Sequence, residues 1–191
     1  METPVNDFAT KLDDRTVEFV RVLPGPIEKI WSYLEDSDKR GQWFAKGELP
    51  KKPGEHFELR FKHSELSPHQ AEAPERMKEI DKSGHSADNV LLKFEPPHLL
   101  AFTFGPSTRP GLEPSVVEIR LKEEGDKVRL TLTHSKLPDR AMMIGVSGGW
   151  HTHLAILQYR AEGKTPPAFW DVWRQYDGVY DRRYAAESTP T

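Results

Sequence analysis

The sequence predicts an α+β fold: a curved antiparallel sheet of about seven strands wrapped around one long helix near the C-terminal end. Three observations carry this. Five segments between residues 56 and 135 alternate apolar and polar residues with period two, the mark of strands with one covered and one wet face. Residues Asp139 to Glu162 instead repeat apolar residues at helical spacing. A sheet with one apolar face needs a cover, and this helix is the largest element able to supply it.

Arg15–Val22 is rich in β-branched residues and reads as the first strand, ended by the turn Leu23-Pro24-Gly25-Pro26. Pro26 suits a helix start, and Ile27, Ile30, Trp31 and Leu34 give that helix one apolar face. A second short helix is expected over Asp36–Trp43, with Trp43 and Phe44 turned inward, then a short strand near Lys46–Leu49. His56–Lys62 places Phe57, Leu59 and Phe61 on one side. The same reasoning groups Val90, Leu92 and Phe94 in Asn89–Glu95; Leu100, Phe102 and Phe104 in His98–Phe104; and Val117, Ile119 and Leu121 in Ser115–Lys122. Lys127–Ser135 groups Val128, Leu130, Leu132 and His134. Short turns at Glu95–His98 and Glu124–Asp126 suit hairpins. Residues 63–88 form a long polar connection with one helical turn at Pro74–Ile80.

Asp139 can cap the long helix, whose stripe is Met143, Val146, Trp150, Leu154, Leu157 and Ala161. At 1.5 Å per residue it spans about 33 Å, enough to cross a sheet. Gly163 closes it, and Pro166 and Pro167 start a final helix with Phe169, Trp173, Tyr176, Tyr180 and Tyr184 along one edge. The expected organisation is a flexible arm over 1–14, one domain over 15–163, a packed C-terminal helix over 164–185, and a tail over 186–191.

Composition limits the function. The 191 residues carry a net charge of −3 with no long basic run, which argues against nucleic-acid binding. The absence of cysteine removes disulfides, thiolate zinc sites and a thiol nucleophile. No apolar run is long enough for a membrane span, and the first residues lack the pattern of a signal peptide, so a cytoplasmic protein is expected, as a monomer or homodimer.

The order strand, two short helices, six strands and long helix is the helix-grip arrangement. Several runs resemble the START-like, or SRPBCC, superfamily, and within it the bacterial branch with homology to the activator of the heat-shock chaperone ATPase. These are Arg21 to Trp31 with Trp43, Phe94 to Phe102, Leu130 to Arg140, Gly149 to Leu154 running to Gly163, and the tail Pro166 to Trp170. The resemblance covers residues 15 to about 184. It implies a cavity between sheet and long helix that holds a small apolar or amphipathic molecule such as a lipid. It leaves open a cyclase or dehydratase enzyme using the same cavity, and a protein-interaction, co-chaperone-like role. The eukaryotic activators carry an additional N-terminal chaperone-binding domain, whereas about fourteen residues precede the first strand here.

The inward residues define a candidate ligand-binding set: Trp43, Phe57, Leu59, Phe61, Leu92, Phe94, Phe102, Phe104, Ile119, Leu130, Leu132, His134, Met143, Trp150 and Leu154. The aromatics among them either line a cavity or fill the core. His134 is either a hydrogen-bonded core histidine or a polar anchor for a ligand, with a backbone carbonyl, a water or the ligand as partner. His151 and His153 point about 200° apart on a helix, so they are expected on the surface and sharing no metal. No metal set, phosphate loop or Ser-His-Asp signature is present, so no catalytic residue, metal or cofactor is assigned. Gly148 and Gly149 inside the long helix point to a close backbone approach or to a kink.

Overall fold

The computed structural model of the chain describes residues 7–106 and 110–187; residues 1–6 of the arm expected over 1–14 and residues 188–191 of the tail expected over 186–191 lie outside that range. In chain order the elements are β1 (Thr10–Asp13), β2 (Thr16–Pro24), α1 (Ile27–Glu35), α2 (Ser37–Arg40), β3 (His56–Phe61), α3 (Lys78–Ser83), β4 (His85–Glu95), β5 (Leu99–Thr103), β6 (Val116–Glu124), β7 (Lys127–Ser135), α4 (Arg140–Ala161), α5 (Phe169–Tyr176) and α6 (Val179–Glu187). The strands form one antiparallel sheet in the order β1-β2-β7-β6-β5-β4-β3. Within it β7 pairs along its length with β2, from Val17 opposite His134 to Pro24 opposite Lys127, and with the central strand β6 on the other side. The helix-grip α+β expectation therefore holds, with α4 as the long helix.

Four details depart from the sequence reading. Residues 10–13, expected as part of a loose arm, are an edge strand paired with β2. Their sequence TKLD lacks the apolar alternation that reveals a strand, because an edge of exposed polar side chains needs none. What ties this segment down is packing just before it. The Ala9 amide donates to Tyr180 Oη at 3.0 Å, and the Phe8 ring meets His151 edge-on at 5.1 Å.

The expected strand at Lys46–Leu49 is a single bridge between Lys46 and Arg60. Gly47 ends it, since its φ of +143° leaves the β region, and a Cβ there would sit 2.0 Å from the Glu58 carbonyl oxygen. The third departure is in β4, which begins at His85 rather than Asn89 and carries a bulge between Leu91 and Lys93. The extra residue shifts the alternation by one. Asn89 and Leu91 point inward, Phe94 is again inward beyond the bulge, and Leu92 turns to solvent at 37% exposure. Fourth, the final segment is two helices. Asp177 and Gly178 break it, with Gly178 at φ +72°.

Helix α4 starts where expected, with Asp139 Oδ1 accepting the Met142 amide at 2.8 Å. At its other end Lys29 Nζ on α1 donates to the Ala161 carbonyl at 2.6 Å. One side of α4 buries Met143, Trp150, Leu154 and Leu157 in the core. The opposite side is buried too, because α5 and α6 fold back over it. Ser147 Oγ and Tyr184 Oη lie 2.7 Å apart, as do His151 Nδ1 and Tyr180 Oη. Phe169, Trp170, Tyr180 and Tyr184 are almost fully buried in this contact.

Removing everything after Gly163 would expose those four aromatic side chains' partners to water, at roughly 1.5–3 kcal/mol per large side chain lost. A chain truncated there is expected to melt well below the full chain. An unchanged melting temperature by circular dichroism would show that α5 and α6 contribute nothing to the domain.

Candidate functional site

Where the N-terminal half of α4 passes the β3–β4 end of the sheet, cover and sheet do not close on each other. They leave a cleft of about 350 Å³. Its apolar walls are Phe44, Phe61, Phe104 and Trp150, with Met77 from the 63–85 connection and Met142 and Val146 from α4. Phe44 stacks on Trp150 with ring centroids 4.8 Å apart and meets Phe61 edge-on at 5.1 Å. Gly145 and Gly149 of α4 also line it, and a Cβ on either would meet nothing within 4 Å. Lying one helical turn apart, they face the same way, so the missing side chains are part of the empty volume. Helix α4 runs unbroken through them, and a Cβ on Gly148, by contrast, would lie 4.0 Å from Trp173 Nε1.

Three histidines complete the lining: His63, His85 and His153. His85 lies flat on Phe61 at 4.9 Å, and His63 on Phe169 at 4.3 Å. The His63 ring is 5.3 Å from that of His153 and 6.2 Å from that of His85. Among the described residues no group of three or more His, Asp or Glu side chains is arranged to hold a metal ion. Burial pushes the His63 imidazole down to about 4, with the neighbouring His85 adding to the effect. It lowers His85 as well, and takes His153 down to about 3. Among the described residues the cleft lining contains no Asp, Glu, Lys or Arg.

Of the residues expected to bind a ligand, Phe61, Phe104 and Trp150 meet at this cleft. Trp43, Phe57, Leu59, Phe102, Ile119, Leu130, Leu132, Met143 and Leu154 pack instead in the continuous apolar core. Phe94 packs on Trp31 at 5.7 Å, and Leu92 faces solvent because of the bulge in β4. His134 is fully buried but sits behind the cleft wall. Its Nδ1 accepts from Trp150 Nε1 at 3.0 Å, so its proton is on Nε2, 2.9 Å from Ser115 Oγ. Two side chains, rather than a backbone carbonyl, water or ligand, thus satisfy it.

The surface expectation for His151 and His153 is overturned, since both are buried. They do point in different directions, but each ring is held inside the protein. His151 meets Tyr180 under α6, and His153 Nδ1 lies 2.7 Å from the Trp43 carbonyl oxygen. The sequence reading also passed over His63, His85, Met77, Met142 and Gly145. The helical i, i+4 spacing of Gly145 and Gly149 was the one local signal available for them.

The geometry defines a helix-grip protein with a side cleft between sheet and long helix. Residues 24–162 match the family described as Activator of Hsp90 ATPase homolog 1-like protein, and the chain belongs to that family, within the START-like superfamily. Among solved structures, it is similar to a Bordetella parapertussis protein at 44% identity, over 96% of this chain and 95% of that one, with a TM-score of 0.77. It also resembles CalU16 from Micromonospora echinospora at 21% identity, over 92% and 93% of the chains, with a TM-score of 0.62. DynU16, from the dynemicin biosynthetic locus, matches at 20% identity over 80% of this chain and 49% of that one, with a TM-score of 0.58. No curated protein matches.

The buried histidines predict acid sensitivity. His134, His151 and His153 are held near 3 by burial, far below the ordinary value of about 6.5. Above that ordinary value both folded and unfolded chains carry them neutral, and nothing is lost. As pH falls below it, the unfolded chain takes up protons that the folded chain refuses, so stability falls until the folded groups titrate near 3. For the well-buried His134 and His153 the slope is about 1.4 kcal/mol per pH unit each. The denaturation midpoint is expected to drop steadily from pH 7 to pH 5; a flat profile would contradict the burial. Separately, His134→Phe leaves the Trp150 indole N–H unpaired and is expected to cost about 1–3 kcal/mol in urea denaturation. Wild-type stability in that variant would show that the bond contributes nothing.

Proposed function

We propose that the protein binds a small, largely apolar molecule in the cleft beside Trp150. The observation that carries this reading is the open, aromatic-walled volume of about 350 Å³ over Gly145 and Gly149. Its size falls at the lower end of the roughly 300–1,000 Å³ usual for small-molecule sites, and a mostly apolar lining with a few polar groups is their usual character. General acid–base chemistry needs groups that exchange protons near neutral pH. Burial holds the lining histidines His63 and His153 well below that, which favours binding over catalysis.

The neutral dye N-phenyl-1-naphthylamine tests this. Wild-type protein is expected to raise its fluorescence with one saturable site. Gly145→Leu with Gly149→Leu would fill the volume while improving helix propensity, by up to about 1 kcal/mol per glycine replaced. That variant is expected to stay folded and lose the dye signal. Equal dye binding by the two proteins would refute the cleft as the site.

A further inference from the structure

The polar side of the cleft indicates what kind of molecule it accepts. The His153 ring is fixed at one nitrogen: a carbonyl oxygen can only accept, so Nδ1, 2.7 Å from the Trp43 carbonyl, carries the proton. Burial keeps the imidazole neutral, so Nε2 presents a bare lone pair. Among the described residues Nε2 has no hydrogen-bond partner, while the side-chain N or O atoms both unpartnered and sealed from solvent are Trp170 Nε1 and Arg183 Nε. Nε2 is therefore not sealed. The residual 5% exposure of His153, a residue that lines the cleft, leaves this acceptor open.

The surroundings select among possible ligands. An acidic ligand would meet no cation among the described residues of the lining, and pairing with it would require protonating a histidine that burial keeps neutral. A ligand hydroxyl, by contrast, finds an acceptor already oriented by the main chain. A flat ring fits beside the stacked pair Phe44 and Trp150. We propose that the cleft selects an uncharged planar aromatic molecule bearing a hydroxyl group, with its O–H donated to His153 Nε2 and its ring against Trp150 and Phe44. This rests on the reading of the cleft as a ligand site, and adds the class of ligand and the atom that chooses it.

Three bicyclic probes separate the possibilities in calorimetric titrations at neutral pH: 2-naphthol, naphthalene and 2-naphthoate. The expected order is 2-naphthol about tenfold tighter than naphthalene, the scale of one net hydrogen bond, with 2-naphthoate weakest. His153→Phe is expected to erase the gap between 2-naphthol and naphthalene while retaining naphthalene. The nitrogen-15 resonance of His153 Nε2 in the wild-type protein gives the same reading without a substitution, moving with 2-naphthol and not with naphthalene. Equal affinity for 2-naphthol and naphthalene, or an unmoved Nε2 resonance, would overturn this inference and leave the cleft reading standing. Preference for 2-naphthoate would overturn it in favour of an anion site. Binding of none of the three would remove both.

Discussion

Helix α4 lies with one face on the sheet and the other under α5 and α6, so its polar side chains must find partners inside the protein. An unpaired buried polar group costs about 1–3 kcal/mol, and that constraint shapes the neighbourhood. Trp150 Nε1 is accepted by His134, which in turn meets Ser115 across the sheet. His153 uses the Trp43 carbonyl, and His151 and Ser147 use tyrosines that α6 supplies. The C-terminal helices thus do more than add apolar area. Without Tyr180 and Tyr184, two polar groups on α4 would be left without these partners.

The same double cover explains where the cleft is. Over most of the sheet, α4 and the strands close on one another through Leu130, Leu132, Met143 and Leu154. Towards the β3–β4 end α4 presents Gly145 and Gly149, and the sheet edge is continued by the 63–85 connection rather than by a further strand. Asn89 helps to hold this rim open. It is buried, accepts the Gly105 amide at 2.8 Å, and donates to the Ala87 carbonyl at 2.8 Å. Ala87 and Gly105 are both small residues of the cleft lining. Small residues on helix and rim, with large aromatics between them, leave a space that has walls.

Much of the fold was legible because it rests on periodicity. β3, β6 and β7 alternate cleanly, and α4 announces itself by its stripe and its Asp139 cap. β1 was not legible, because an exposed edge strand has no apolar face to display. The inward set of β4 before Phe94 was read one residue out of phase, because a bulge is a backbone event that leaves no fixed mark in the residues. For the site, alternation correctly chose the face but could not say how far the cover reaches. Leu130 and Phe61 look alike in sequence, yet one is sealed in the core and the other borders open space. The histidines were misjudged for a related reason: helix geometry gives their directions, while what covers each direction depends on residues more than twenty positions away.

The claim that ligand binding belongs to this cleft, and not to the core or the outer sheet, can be located atom by atom. Met142 and Met77 stand on opposite walls, one on α4 and one on the 63–85 connection, and their ε-methyl groups report independently. In methyl-labelled protein titrated with naphthalene, both resonances are expected to shift together and saturate with a single affinity, while the Met143 methyl buried in the core moves little. A titration in which the Met142 and Met77 methyls stay in place would contradict the account.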